Sequence, residues 1–195
     1  MKIVVATHNE HKIKEIKGII DRSDIELVSV NNYNINIDDV DENGKTFKDN
    51  AYLKAQYVAS KCDEYVIADD SGLCLNALDI LGVKTARYRN DLDYPSRHKV
   101  VYNLLKDKEK GASFKCTICL ITPSKEVLFF EGEAKGEIQE PKGLNGFGYD
   151  PVFYSYDLNA RFAEVKDEEK NRVSHRGKAL EKMLNELKRR GLINE

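Results

Sequence analysis

The stretch VIADDSGLCL, residues 66–75, begins as a strand and then presents two adjacent carboxylates. Residues 66–68 are apolar and are typical of a short buried strand. Asp69 and Asp70 follow at once, and aspartates repel one another and have low strand propensity. We therefore predict that the strand ends here, with both acids at its tip. Strand ends of α/β sheets are a common place for ligand groups, so the rest of the chain must provide either a cation for the two acids or a reason that they are harmless.

The segments on either side of this strand alternate between strand and helix patterns. Apolar residues spaced three and four apart indicate helices, and alternating ones indicate strands. The predicted elements are strands at 2–7, 25–30 and 65–69, helices at 10–21, after Thr46, at 96–105 and at 174–190, and an antiparallel hairpin formed by 113–122 and 126–138. A hairpin attached to βα units predicts an α/β fold, with a mixed central sheet flanked by helices.

Composition limits the class of protein. The chain has 195 residues, 41% hydrophobic and 33% charged, which predicts a single globular domain over residues 1–195. No apolar run approaches the roughly 18 residues that a membrane span needs, and the N-terminus is unlike a signal peptide, so a cytoplasmic protein without a membrane partner is expected. The net charge of −2 provides no overall basic field, so no nucleic-acid partner is expected.

Two of the four cysteines, Cys116 and Cys119, form the tempting motif CTIC. The motif lies in a predicted strand, where residues three apart point to opposite faces. We therefore expect small buried side chains rather than a zinc or redox site.

Two predicted helices begin with the wrong charge. Asn9 and Ser174 are suitable N-caps, and they place Lys12 in one first turn and His175 and Arg176 in the other. A helix N-terminus already carries about half a positive charge, so bases there are unfavourable. A bound anion would resolve both cases, and phosphate is the obvious candidate.

An acidic loop at 37–45 supplies a possible counterpart to the aspartate pair. Its acids are Asp38, Asp39, Asp41 and Glu42. If the loop meets Asp69 and Asp70, the carboxylates can hold Mg²⁺ together with a polyphosphate. The alternative is a solvated turn without a ligand.

Five motifs now occur together in one order: THNEHK (7–12), DENGKTFKDNA (41–51), ADDSGL (68–73), GFGYDPVF (146–153) and EEKNRVSHRGKAL (168–180). With them the chain resembles the inosine triphosphate pyrophosphatases over nearly its whole length. The resemblance implies two lobes with a nucleotide-binding cleft between them, Mg²⁺ as cofactor and a cytosolic homodimer. It also implies hydrolysis of ITP, dITP and XTP to the monophosphate and pyrophosphate, which removes deaminated purines from the nucleotide pool.

The resemblance also assigns roles to residues. Asp70 is implied as catalytic acid-base, and metal ligation is implied for Asp70 and for Asp41 or Glu42, of which we favour Asp41. The implied substrate contacts are Thr7, His8, Asn9, Glu10, His11, Lys12, Ser71, Phe147, Gly148, Tyr149, Asp150, Lys170, His175 and Arg176. The sequence departs from the family pattern at His8, at residues 76–88 and at Asn145, so loops of a different shape are expected there.

We expect Asp70 to orient or deprotonate a water that attacks the α-phosphorus. Donors near the base, with Phe147 as a stacking partner, would favour a 6-oxo purine over adenine. Two alternatives remain: a Maf-like pyrophosphatase for pyrimidine or modified nucleotides, and a nucleotide-binding regulator without catalysis. The acid cluster favours an enzyme, because carboxylates without a metal would repel a phosphate ligand.

Overall fold

A computed structural model describes residues 1–194 and has a mixed sheet flanked by helices, as the sequence predicted. The helices are α1 (Glu10–Ile19), α2 (Phe47–Ala59), α3 (Tyr94–Leu104), α4 (Asp167–Val173) and α5 (His175–Arg189). The strands are β1 (Lys2–Val5), β2 (Glu26–Ser29), β3 (Tyr65–Leu75), β4 (Gly111–Ile121), β5 (Val127–Ile138), β6 (Phe153–Ser155) and β7 (Ala160–Arg161). Within these residues, no helix combines the length and hydrophobicity needed to cross a membrane.

The seven strands form one sheet in the order β2-β1-β3-β4-β5-β6-β7. β1 pairs in parallel with β2 and β3, and all the other pairs are antiparallel. The predicted hairpin is therefore confirmed as β4 and β5. The division into two lobes and the single domain boundary stay predictions.

β3 does not end at the aspartates, so this prediction was wrong. The strand continues to Leu75, and Asp69 and Asp70 pair with Ile118 and Thr117 of β4 in the middle of the sheet. Low strand propensity is outweighed here because β4 supplies a long antiparallel partner and because buried charges on both faces neutralise the acids. The aspartates therefore lie inside the sheet rather than at its edge.

The alternation of side chains along β3 separates the two aspartates. Ile67 belongs to a core cluster with residues of α1 and α5, whereas Val66 and Ala68 belong to a cluster with residues of α2. Successive strand residues point to opposite faces. Asp69 therefore faces α1 and α5, and Asp70 faces α2. The two carboxylates cannot bind one metal side by side, which was the first interpretation of the pair.

Several boundaries differ from the prediction because short signals were overlooked. α3 starts at Tyr94 rather than Ser96, since Asp93 is its N-cap and accepts a hydrogen bond from the Ser96 amide. α4, β6 and β7 were not predicted, because none is longer than seven residues and periodicity needs a longer window. α5 begins after Ser174 as expected, and Ser174 accepts from the Gly177 amide.

Candidate active site

A cavity of about 760 Å³ opens between the sheet, the N-termini of α1 and α5, and the loop before β6. It collects most of the residues that the sequence had singled out. The lining includes Thr7, His8, Asn9, His11, Lys12, Glu42, Asp70, Ser71, Phe147, Gly148, Tyr149, Asp150, Lys170, His175 and Arg176. Glu10 and Asp41 do not line it, and the Asp41 carboxylate instead accepts a hydrogen bond from Asn43.

Asp69 is the centre of a buried ion cluster on the α1 and α5 side. The Arg176 guanidinium donates to Asp69 through Nε (3.2 Å) and Nη2 (2.9 Å), and its Nη1 donates to Glu15. The Lys12 ammonium lies 3.1 Å from the other Asp69 oxygen. Burial by itself would raise the pKa of Asp69, but the charges of Lys12 and Arg176 outweigh it and hold the pKa well below its usual range.

These contacts change the explanation of the two basic helix starts. The guanidinium of Arg176 is 1% exposed and is neutralised by Asp69 and Glu15, two acids of the chain itself. No bound anion is needed to compensate its charge, so that interpretation was wrong for Arg176. Lys12 is more open, with 16% of its side chain exposed, and it lines the cavity beside Asp69. Lys12 is therefore the more available of the two cations.

Asp70 lies in a different environment on the α2 side. Its carboxylate accepts a hydrogen bond from the Asn50 amide at 3.2 Å and lies 3.8 Å from the Lys54 ammonium. Lys54 also contacts Glu42 at 2.6 Å. Burial, with a smaller contribution from Asp69, raises the pKa of Asp70 to about 6 despite the opposing charge of Lys54. A carboxylate with a pKa near neutrality is suited to accept a proton.

The loop at 146–150 forms the opposite wall of the cavity. Gly146 (φ 70°) and Gly148 (φ 61°) have left-handed backbone conformations, which glycine adopts easily. Asp150 Oδ2 accepts the Phe147 amide at 3.0 Å and the Lys170 ammonium at 2.6 Å. The loop is thus held from within by a buried carboxylate. Asp150 and Lys170 neutralise each other there.

Two aromatic contacts define the surface beside this loop. The Phe147 ring stacks on His11 with centroids 4.8 Å apart and an interplanar angle of 9°. The His175 ring stacks on Phe114 at 4.7 Å and 12°. Burial, with the charges of Arg176 and Lys170, lowers the pKa of His175 well below its usual value, so the imidazole is neutral at pH 7. Its Nδ1 has no hydrogen-bond partner among residues 1–194.

Four further polar residues contact the site and were not singled out from the sequence: Glu15, Asn50, Lys54 and His98. Each lies on a helix whose apolar periodicity explains the neighbouring positions, and a single polar residue gives no local signal of burial. For Lys54 a hint existed, because it falls beside Ala51, Ala55 and Val58 on the buried face of α2.

The fold and the site together define an α/β enzyme whose cleft combines lysines, a carboxylate of raised pKa and aromatic side chains. The model of the Ham1 family matches residues 3–186, and the chain belongs to that family. The resemblance predicted from the motifs is therefore confirmed.

Relatives and solved structures agree over nearly the whole length. The dITP/XTP pyrophosphatase of Thermoanaerobacter pseudethanolicus is 40% identical, covering 97% of this chain and 98% of the relative. That of Clostridium perfringens is 41% identical, covering 96% and 97%. Among structures, a HAM1 protein from Coxiella burnetii has a TM-score of 0.85 at 34% identity, covering 97% and 99%. The Staphylococcus aureus Ham1 protein has a TM-score of 0.82 at 34% identity, covering 96% and 98%.

Proposed function

We propose that this chain is a nucleoside triphosphate pyrophosphatase that hydrolyses non-standard purine nucleoside triphosphates (ITP, dITP and XTP) to the monophosphate and pyrophosphate. The observation that carries the proposal is that the two sides of the cavity differ in chemistry. Asp70 and the two lysines Lys12 and Lys54 lie on the side of the sheet and helices, and the aromatic loop at 146–150 lies opposite. A triphosphate fits the first side and a base fits the second. The names of the curated relatives support the same activity.

In this proposal Asp70 orients a water and accepts its proton as the water attacks the α-phosphorus. Asn50 fixes the carboxylate from behind through its hydrogen bond to Oδ2. Lys12 and Lys54 stabilise the negative charge that develops on the phosphate oxygens and on the leaving pyrophosphate. The contribution of the chain is therefore mainly positioning and electrostatic stabilisation.

The residues around Asp70 also fit a divalent cation. Glu42 and Asp70 both approach one cationic centre, the Lys54 ammonium, so their carboxylates converge on a common region. Among residues 1–194 no ready cluster of three metal-ligating side chains is present, so phosphate oxygens and water would complete the coordination. Mg²⁺, when bound there, supplies charge neutralisation of the triphosphate. We propose Glu42 and Asp70 as its ligands, with Glu42 in place of the Asp41 favoured from the sequence.

A pair of matched variants tests this assignment. Glu42→Gln should raise the Mg²⁺ concentration for half-maximal activity by about tenfold or more, because a ligand carboxylate is lost. Asp41→Asn, in the adjacent residue outside the cavity, should leave it unchanged. Pyrophosphate release measured across a Mg²⁺ series compares the two, and a larger effect of Asp41→Asn would restore the assignment made from the sequence.

Base selection is proposed to depend on stacking with Phe147 and on hydrogen-bond donors for a 6-oxo group. Arg176 Nε donates to Asp69, and Nη2 donates to both Asp69 and Ser71. Nη1 donates to Glu15, which leaves one of its two N–H groups for a ligand. A purine that stacks on the face of Phe147 now covered by His11 would displace His11. Adenine would place its 6-amino group, which is itself a donor, against these donors, so neither group would find an acceptor.

The direct test is a panel of nucleoside triphosphates assayed with Mg²⁺ for pyrophosphate release. We expect kcat/KM for ITP and XTP to exceed that for ATP by at least about 100-fold. Preferential turnover of pyrimidine nucleotides would instead favour the Maf-like alternative. Binding of nucleotide without any product would favour the regulator, and release of orthophosphate would place the attack on another phosphorus.

Three properties expected from the composition or from the resemblance stay proposals: a homodimer, a cytoplasmic location, and the lack of nucleic-acid or membrane partners. Light scattering on the purified chain tests the first, since a homodimer has twice the 22.2 kDa of one chain. Fractionation of the source cells tests the second. Filter binding to duplex DNA and flotation with anionic vesicles test the third.

A further inference from the structure

The loop at 146–150 has an anchor outside the cavity, which is His98 of α3. The His98 side chain lies with Nε2 2.7 Å from the carbonyl oxygen of Gly148. The residue is 5% exposed and does not line the cavity, although Gly148 and Tyr149 do. His98 therefore contacts the back of the loop whose front faces the ligand space.

The N-terminal turn of α3 holds this imidazole in a fixed place. Tyr149 packs its ring edge against Tyr94 at 5.7 Å and 88°, and its ring lies 5.7 Å from that of His98. Arg97 donates to the carbonyl groups of Leu92 and Ala86, and its guanidinium lies 4.6 Å from the Tyr94 ring centre. The Tyr94 ring of the same helix lies 6.1 Å from that of His98, so the buried imidazole is packed against α3 as well as against the loop and can hold the loop in place.

A hydrogen bond to the Gly148 carbonyl fixes the orientation of the whole peptide plane between Gly148 and Tyr149. The carbonyl of Gly148 and the amide N–H of Tyr149 belong to the same peptide plane, and in a trans peptide they point in opposite directions. Glycine at 148, with φ 61°, would otherwise allow this plane to rotate at low cost. Among residues 1–194, the Tyr149 N–H has no hydrogen-bond acceptor. By holding the carbonyl, His98 directs this free donor away from α3.

We propose that His98 is a positioning residue for nucleotide recognition, which fixes the Gly148–Tyr149 peptide so that the Tyr149 N–H is presented to an acceptor of the bound base. This inference rests on the proposed function, because it assumes that the loop at 146–150 contacts the base. The imidazole carries its proton on Nε2, since the carbonyl can only accept. His98 touches neither substrate nor reacting atoms and acts entirely through the loop.

Two substitutions separate the hydrogen bond from the shape of the side chain. His98→Phe keeps a ring but removes the donor, and His98→Gln restores an N–H donor at the end of a side chain of similar reach. We expect His98→Phe to raise the KM for ITP or XTP by about fivefold to tenfold, the value of one hydrogen bond, with a smaller change in kcat. His98→Gln should recover most of this loss. Lys99→Ala, on the exposed face of the same helix, is the matched control and should change neither constant.

A competitor without a base distinguishes positioning of the base from a general structural defect. A structural defect would weaken binding of this competitor, whereas a loss of base positioning would not. Tripolyphosphate occupies only the phosphate side of the cavity, so its inhibition constant should be the same for the wild type and His98→Phe. An unchanged KM in His98→Phe, an equal loss of tripolyphosphate binding, or failure of His98→Gln to restore the KM would each overturn the proposal. Turnover of the nucleotide panel by the wild type tests the proposed function separately, and the His98 comparison uses whichever nucleotide the wild type hydrolyses best.

Discussion

Asp70→Asn should lower kcat for ITP by about 10²–10⁴, the range associated with a lost general base. The amide retains the size of the carboxylate and can keep a contact with Asn50, but it cannot accept a proton from water at neutral pH. It also weakens the proposed metal site. The measurement is initial-rate pyrophosphate release at saturating ITP and Mg²⁺.

The same variant should be at least as stable as the wild type when metal is absent. The pKa of Asp70 is raised to about 6 in the folded protein from an ordinary value of 3.8, so the folded state binds the proton more tightly than the unfolded state. Ionisation of Asp70 therefore costs stability as the pH rises through this interval, and asparagine avoids that cost. Thermal unfolding in EDTA at pH 7 compares the melting temperatures of the variant and the wild type.

Asp79→Asn, at an exposed position, is the control for the loss of one negative charge and should change neither rate nor melting temperature. Near-normal turnover by Asp70→Asn would remove Asp70 from the chemistry. Low activity together with a large fall in melting temperature would instead assign it a structural role.

Asp69→Asn, unlike Asp70→Asn, should show a large loss of folding stability. Arg176 is fully buried, and removing one charged partner leaves part of its charge uncompensated away from water. Breaking a buried ion pair from one side costs roughly 3–5 kcal/mol. Urea unfolding at pH 7, which yields the free energy of unfolding, should therefore show a clear decrease for this variant.

The pH dependence provides a second check on Asp69. Its folded pKa is depressed below the ordinary 3.8, so its stabilising contribution is complete above that value and is lost as the pH falls below it. The difference between wild type and Asp69→Asn should therefore be constant from pH 7 to about 5 and should shrink in stronger acid. Asp91→Asn removes an exposed ion pair with Arg89 and serves as the control, with little change in stability expected. Wild-type stability of Asp69→Asn would contradict the role of the cluster.

The strand and helix patterns were sufficient to predict the fold class, and the motifs, through the resemblance, predicted most of the residues that line the cavity. Asn9 and Ser174 were recognised as caps because capping is a local interaction within one turn. The hairpin of β4 and β5 was recognised because alternation extends over many residues. Local patterns of this kind do not depend on what packs against them, so they can be read from the sequence.

The roles of the charged residues were harder to predict from the sequence. Lys12 and Arg176 have the same type of position, near the start of a helix, and both line the cavity. Arg176 is nevertheless fully buried against two acids, whereas Lys12 is partly exposed and contacts one. Glu15 lies far from Lys170 and Arg176 in the chain and contacts both in the fold. Such pairs form between distant segments, and no local pattern predicts which partners will meet.

The sequence by itself determined that the chain forms a mixed α/β sheet and that acids, lysines and a glycine-rich loop are available for a phosphate-containing ligand. Only the tertiary structure decided that Asp69 stabilises the interior while Asp70 faces Asn50 and Lys54 in the cavity. The physical reason is that β3 continues through both residues. Successive side chains of a strand point to opposite faces of the sheet, so the two aspartates pack against different helices. Whether the strand continued depended on its pairing with β4, more than forty residues further along the chain.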